Sequence, residues 1–236
     1  MGNLYLIRHG QASFGADDYD VLSAVGERQS QALGEHLAQL GLRLDRCIAG
    51  SLRRQQDTAR LALHAMSGHG CPVPAVETDP AFNEFDADGV IRTLLPGLLP
   101  DEPEALHILR NGTTNRSEFQ RLFALMVQRW HDGQHPDDGL ESWAAFTARV
   151  QGGLQRVLQR AGSGENIAIF TSGGTIAALL HLVTRITPSQ AFALNWQIIN
   201  TSLSQLKFRG SDVTLASFNS QAHVQLLRAP ELITYR

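Results

Sequence analysis

The chain of 236 residues predicts an α/β fold: a three-layer sandwich with a mainly parallel central sheet, helices on both faces and one helical insertion. Three observations predict it. Short apolar runs alternate with longer segments of helical spacing, the pattern of strand–helix–strand units. Glycine- and serine-rich breaks, such as Ser67-Gly68-His69-Gly70 and Gly162-Ser163-Gly164, separate the segments. Only the last two strand-like runs, Leu203 to Phe208 and Val213 to Phe218, are joined by a hairpin-like turn, Arg209-Gly210-Ser211-Asp212.

The elements follow in order. Leu4 to Ile7 is an apolar first strand. After a polar loop from Gln11 to Asp20, Ser23 is a helix N-cap with Glu27 near the first turn. Ala32, Leu33, Leu37 and Leu40 keep helical spacing until Gly41 ends the helix. Arg46 to Ala49 is a short second strand, Leu52 to Met66 a second helix, and Pro72 to Glu77 holds a short extended segment. From Asp86 to Asp138 the character changes: Pro96, Pro100, Pro103 and Pro136 punctuate two short helices, the better one from Ser117 to His131. This stretch reads as an insertion of about residues 86–138 into a single domain of residues 1–236, and as a candidate lid. Glu141 to Ala161 is again helical, Asn166 to Phe170 is a strongly apolar strand, and Thr171-Ser172-Gly173-Gly174 turns into a helix that runs through His181. No internal repeat or low-complexity tract interrupts the pattern.

Composition excludes several classes. A net charge of −3 provides no basic field for nucleic acid, so an anionic ligand has to be caught by local arginines. The two cysteines, Cys47 and Cys71, form neither a metal-spaced pair nor a disulfide framework, and Cys47 in an apolar strand reads as an inert buried thiol. The start, Met-Gly-Asn-Leu, lacks the basic and apolar regions of a signal peptide. No apolar run approaches the ~20 residues of a membrane span. The expectation is a cytoplasmic enzyme or binding protein; its oligomeric state stays open.

The chemistry gathers where predicted strands end, which is where open α/β sheets bind ligands. Strand one runs into Arg8-His9-Gly10: a guanidinium that can fork onto phosphate, an imidazole that can attack phosphorus, and a glycine that lets backbone approach an anion. Strand two runs into Gly50-Ser51-Leu52-Arg53-Arg54-Gln55-Gln56-Asp57-Thr58-Ala59, where a helix N-terminus and an arginine meet. Asn83-Glu84-Phe85 holds a carboxylate among apolar or amide neighbours, where partial desolvation raises its proton affinity and suits it to proton donation. Thr171-Ser172-Gly173-Gly174 offers backbone N–H groups to an anion, although Ser172 also suits a plain N-cap.

In this order, these segments resemble the histidine phosphatase superfamily, the phosphoglycerate-mutase-like fold, over most of the chain. Arg8-His9-Gly10-Gln11 looks like the family signature, with His9 as phosphate acceptor. Leu22-Ser23-x-x-Gly26-x-x-Gln29-x-x-Ala32 looks like the entry to the first helix. Leu52-x-Arg54-x-x-x-Thr58-Ala59 looks like the second arginine segment, which makes Arg54 rather than Arg53 the anion ligand. Glu84 matches the acidic general acid or base, and Asn200-Thr201-Ser202 resembles the entry to a late strand. The resemblance implies His9 and Glu84 as catalytic residues. It implies a phosphate site of Arg8, Arg54, Gly10, Ser172 and Gly173, with Gln11 and Ser23 lining it. One departure stands out: Ser172 occupies the place of the family's second histidine and brings a hydrogen-bond donor without charge, roughly half as strong as a charge-assisted one.

The leading expectation implied by the resemblance is a metal-independent phosphomonoesterase acting through a phosphohistidine on His9, with a small-molecule phosphorylated substrate, no cofactor, no metal, and no nucleic-acid or membrane partner. A phosphoglycerate-mutase-type phosphotransferase is the enzyme alternative, set back by the acidic loop with Asp17, Asp18 and Asp20 and by Gly15 where an asparagine is common. A phosphate-binding or regulatory protein with weak turnover is the third reading, motivated by Ser172. His181 stands too far along its helix to replace a missing histidine, and His223 follows the last strand on a loop that could return to the site. His36, His64, His69, His107, His131 and His135 read as solvent-exposed, Arg53 as a solvated helix face, and Phe119, Phe123 and Trp130 as packing residues.

Overall fold

The computed structural model describes residues 1–13, 20–111, 116–133 and 139–235. Two compact units divide the chain: Met1–Glu84 together with Val150–Arg236, and Phe85–Arg149.

The first unit is built on a six-stranded sheet of β1 (Gly2–Arg8), β2 (Arg46–Ala49), β3 (Val76–Thr78), β4 (Asn166–Thr171), β5 (Leu203–Arg209) and β6 (Asp212–Ser220), in the order β3-β2-β4-β1-β5-β6. β1 to β4 run parallel; β5 is antiparallel to β1, and β6 to β5. The sheet is therefore mixed, with the antiparallel share confined to the hairpin. Gly210, at φ 58°, occupies the left-handed conformation that the hairpin turn needs.

Strand periodicity sorts the core into two faces. Ile7, Cys47, Ala49, Ala168 and Phe170 join one buried cluster with Leu33 and Leu37 of α1 (Ala24–Gln39) and Ala59, Ala62 and Met66 of α2 (Arg53–Gly68). The alternate residues Leu4, Leu6, Ile48, Ile167 and Ile169 are equally buried on the opposite face. There, α7 (Gly173–Thr184) is buried all the way from Gly173 to Leu180, as expected for a helix with almost no polar side. Burial, followed by the charge of Glu77, pushes the Cys47 thiol up to about 12, which makes it inert as expected. Ser23 caps α1 by accepting from Gly26 N at 3.1 Å. α8 (Pro188–Asn195), opened by a capping box on Thr187 and Gln190, and the short α9 (Ala222–Leu226) complete this unit.

The second unit holds α3 (Ala87–Leu98), α4 (Ala105–Arg110), α5 (Arg116–His131) and the opening turns of α6 (Trp143–Arg160). Among the described residues the expected insertion thus contains three helices rather than two. Pro96 sits inside α3 without ending it. An aromatic core fills the unit: Phe85 stacks on Trp130 at 4.9 Å between ring centroids, and Trp143 and Phe146 meet the same indole at 5.5 and 6.0 Å. Trp130 and Phe123 are buried packing residues, and Trp130 Nε1 donates to Glu141 O at 2.8 Å. No described helix is long and apolar enough to cross a membrane.

Candidate active site

The site is built where β1, β2 and β4 end. The backbone of Arg8 and His9 is held on both sides: His9 N donates to Thr171 O of β4 at 2.8 Å, Thr201 N to Arg8 O at 3.0 Å, and Asn200 Nδ2 to His9 O at 3.0 Å. Thr201 adopts φ 60°, strained for a β-branched residue; its hydroxyl is tied to Asn200 O at 2.7 Å and to His223 Nε2 at 2.9 Å. Gly10 N donates to Thr58 Oγ1 at 2.9 Å, joining the turn to α2. A Cβ on Gly10 would stand 2.5 Å from Gly26 O, so glycine is what lets this turn lie against the first turn of α1.

The imidazole of His9 is buried, and its two nitrogens are set apart. Nδ1 lies 2.7 Å from the Gly10 carbonyl, which can only accept, so Nδ1 carries the proton. Nε2 is then the bare nitrogen, and it accepts from Arg54 Nε at 3.2 Å. Burial first, then the charges of Arg54 and Arg8, hold the imidazole well below the usual histidine range, against the weaker pull of the Gly10 hydrogen bond. At neutral pH His9 is an uncharged ring with one lone pair facing a guanidinium.

Arg54 lies in the first turn of α2 and is itself buried. Its Nη1 donates to Asp20 Oδ1 at 2.7 Å, while Asp20 Oδ2 accepts from Arg53 N at 2.8 Å. Asp20 thereby holds a guanidinium and a helix N-terminus, the two kinds of donor a phosphoryl group would use. Arg53 turns outward, 61% exposed and paired with Asp57, as expected. Arg8 Nη1 donates to the Ile198 carbonyl.

Opposite, at the start of α7, Glu84 Oε2 accepts from Gly174 N at 3.0 Å. Thr175 Oγ1 donates to Asn83 O at 3.0 Å, which fixes the Asn83–Glu84 segment on the helix. Gly173 lies beside Arg8, whose Cζ is 3.7 Å from where a Cβ would be, and Asn195 Oδ1 is nearer still at 2.3 Å. Ser172 is the N-cap residue of α7, but its side chain makes no capping bond; its Oγ accepts from Gln55 Nε2 at 2.8 Å. Gln11 and Ser23 meet each other at the head of α1, where Ser23 Oγ donates to Gln11 Oε1 at 2.8 Å.

The remaining histidines divide. His64, His69 and His107 are exposed as expected; His36 and His131 are half-buried, and His135 lies outside the described residues. His36 departs from expectation because α9 packs on α1, bringing the ring of His223 within 6.0 Å. His223 is buried behind the site on α9, and burial, then the charge of His36, lowers it to about 4. His181 bonds to Ile186 O at 2.6 Å at the far end of α7. Asp20, Gln55 and Thr201 escaped prediction as site residues. Asp20 carries a signal as part of the acidic loop, and Gln55 and Thr201 only as members of the segment after strand two and of Asn200-Thr201-Ser202. Among the described residues no cluster of three His, Cys, Asp or Glu side chains could hold a metal.

The model of the histidine phosphatase superfamily (branch 1) matches residues 4–92 and 109–221. The chain belongs to this superfamily. A 2,3-bisphosphoglycerate-dependent phosphoglycerate mutase of Rhizobium rhizogenes is 27% identical over 226 residues, covering 92% of this chain and 94% of the relative. Among solved structures, phosphoglycerate mutase from Bacillus anthracis superposes with a TM-score of 0.63 at 16% identity, over 95% of each chain. A mycobacterial glucosyl-3-phosphoglycerate phosphatase does so with 0.61 at 20% identity, over 93% of this chain and 99% of the other. Phosphoryl transfer is the chemistry of this superfamily, and phosphatases and mutases both occur in it.

Proposed function

We propose that this member of the superfamily is a phosphomonoesterase that works without a metal ion, through a phosphohistidine on Nε2 of His9. The observation that carries the reading is the tautomer: Nδ1 is committed to Gly10 O, and the lone pair of Nε2 faces Arg54. A neutral, oriented imidazole beside two guanidiniums is a nucleophile whose target is drawn in by charge. The phosphoryl group docks on Arg8 and Arg54, taking over the Arg54 Nε–H that Nε2 accepts. The Nε2 lone pair forms the N–P bond as the P–O ester bond breaks. The carboxyl of Glu84 gives its proton to the leaving alkoxide. Its carboxylate then takes a proton from water, the water oxygen bonds to phosphorus, and the N–P bond breaks. Inorganic phosphate leaves, and His9 regains its lone pair.

The test is turnover of a generic aryl phosphate with and without chelator. Activity is expected to survive chelation and to fall by about 10⁴-fold or more in His9→Ala. Turnover retained in that variant, or abolished by the chelator, sinks the reading. The curated relative named as a mutase favours a second reading, transfer of the phosphoryl group between substrate hydroxyls. That reading predicts isomerisation of a phosphoglycerate faster than release of free phosphate, and following both products in one assay separates the two.

A further inference from the structure

The wall beside His9 carries a hydrogen-bond relay that the mechanism above does not use. Gln55 is fully buried one position after Arg54. Its Nε2 donates to Ser172 Oγ at 2.8 Å and to the Phe82 carbonyl at 3.2 Å. The orientation of the carboxamide is dictated by its surroundings: flipped, its oxygen would face the Phe82 carbonyl, acceptor against acceptor. In the orientation present, Oε1 has no hydrogen-bond partner among the described residues and rests against Gly50, where a Cβ would come within 2.0 Å of it. Glycine at 50 is thus the space that Gln55 occupies. A buried carboxamide held with one end unsatisfied is costly and calls for a role at its other end.

That other end is Ser172. Ser172 follows Thr171, the strand partner of Arg8, so it stands next to His9 across the β1–β4 ladder. Because an amide nitrogen has no lone pair to offer, Ser172 Oγ is the acceptor in the Gln55 bond. The hydroxyl proton must therefore point elsewhere, and among the described residues no acceptor takes it. An oxygen of a phosphoryl group arriving at His9 is an acceptor of the right chemistry on the right side.

We propose that Gln55 is a positioning residue for phosphoryl transfer: by donating to Ser172 Oγ, it turns the serine proton toward a non-bridging oxygen of the phosphoryl group. The proposal rests on the phosphohistidine reading of the same site. Ser172→Ala removes the donor. Gln55→Glu keeps the shape of the side chain but replaces the donor by a carboxylate, which accepts the serine proton and turns it away. Each is expected to lower kcat on an aryl phosphate about 10- to 100-fold at neutral pH, with KM moving much less. The double variant is expected to be no slower than Ser172→Ala alone, because both changes break one relay. Gln55→Glu alone is expected to recover activity as pH falls and its carboxyl regains a proton, a response that a structural role would not produce. The proposal is overturned if Gln55→Glu keeps kcat within twofold of the parent, if the two losses multiply, or if only the melting temperature changes. If the parent protein shows no His9-dependent turnover, the phosphohistidine reading itself has failed. Titration with inorganic phosphate then decides: equal weakening of about tenfold in both single variants supports the relay, and unchanged affinity overturns it.

Discussion

The two walls of the site are made of different physics. On one, Arg8 and Arg54 bring two fixed positive charges against a buried imidazole, and Asp20 answers one of them at 2.7 Å. On the other, Ser172, Gln55 and the α7 amides provide neutral donors, with only the Glu84 carboxylate held at Gly174 N. The difference assigns labour. In the proposed reaction charge draws in and neutralises a phosphoryl dianion, and, after burial, it helps to keep His9 uncharged. Neutral donors can discriminate by geometry because they attract weakly at a distance. If that division holds, removing charge should collapse the reaction, whereas altering the neutral wall should tune it.

The sharpest way to break the comparison is Arg54→Met, which keeps the length of the side chain and removes the charge. It is expected to cost about 10²–10³ in kcat/KM. A loss smaller than tenfold, measured on the same aryl phosphate, would show that Arg54 does not carry the charged wall. Burial of two histidines, helped by neighbouring charge, has a consequence for stability. His9 is held well below the usual range and His223 at about 4, whereas both titrate near 6.5 in an unfolded chain. Well above pH 6.5 neither state binds these protons, so the two histidines add no slope to stability. Below it the unfolded chain takes up protons that the folded chain refuses, and stability falls by up to about 1.4 kcal/mol per proton and pH unit. Denaturant melts at pH 7.5 and pH 5.5 should show this loss, and His223→Asn, lacking one of the protons, should show a smaller one. Equal stability of the parent at the two pH values would refute it.

How far the sequence makes these walls legible depends on how local each feature is. Arg8, His9 and Arg54 lie at the ends of apolar strands or in the first turn beyond, so periodicity alone brings them to one edge of the sheet. The parallel order of β1 to β4 follows from helical crossovers in the same way. Asp20 was visible as an acidic loop residue but not as the partner of Arg54, because the contact closes 34 positions of chain. Gln55 follows Arg54 in an ordinary helical pattern, and only burial against Ser172 gives it a role. The same applies to His223, whose short helix carries no strong pattern, and to His36, which reads as a surface histidine until α9 covers it. What escaped the sequence is pairing at long range, where the identity of a residue says little until its neighbour is known.

A smaller effect tests whether the neutral wall is built around serine. Ser172 is fully buried with Gln55 in hydrogen-bond contact, so an imidazole at that position has no vacant space. Ser172→His is expected to lower stability by about 1–3 kcal/mol through overpacking and to slow turnover. Adding Gln55→Ala to it should return most of the stability. A single Ser172→His variant that melts with the parent and turns over faster would mean that the wall accepts a cationic donor as readily as a neutral one.

The smallest effect probes the negative charge that Asp20 places on the positive wall. Asp20 is about one-third exposed, so water and salt screen it, and exposed pairs of this kind are worth at most about 1 kcal/mol. Its carboxylate competes with phosphate for Arg54 Nη1 and the Arg53 amide. Asp20→Asn keeps an oxygen for one of those donors and removes the charge. The variant should bind inorganic phosphate about threefold more tightly at low ionic strength, with the gain fading above ~0.15 M salt as the Debye length falls below 8 Å. Weaker binding would mean that Asp20 serves chiefly to orient Arg54. The arginine would then need its acidic partner to be a phosphate ligand at all, and the charged wall would have to be counted as a pair rather than as two independent cations.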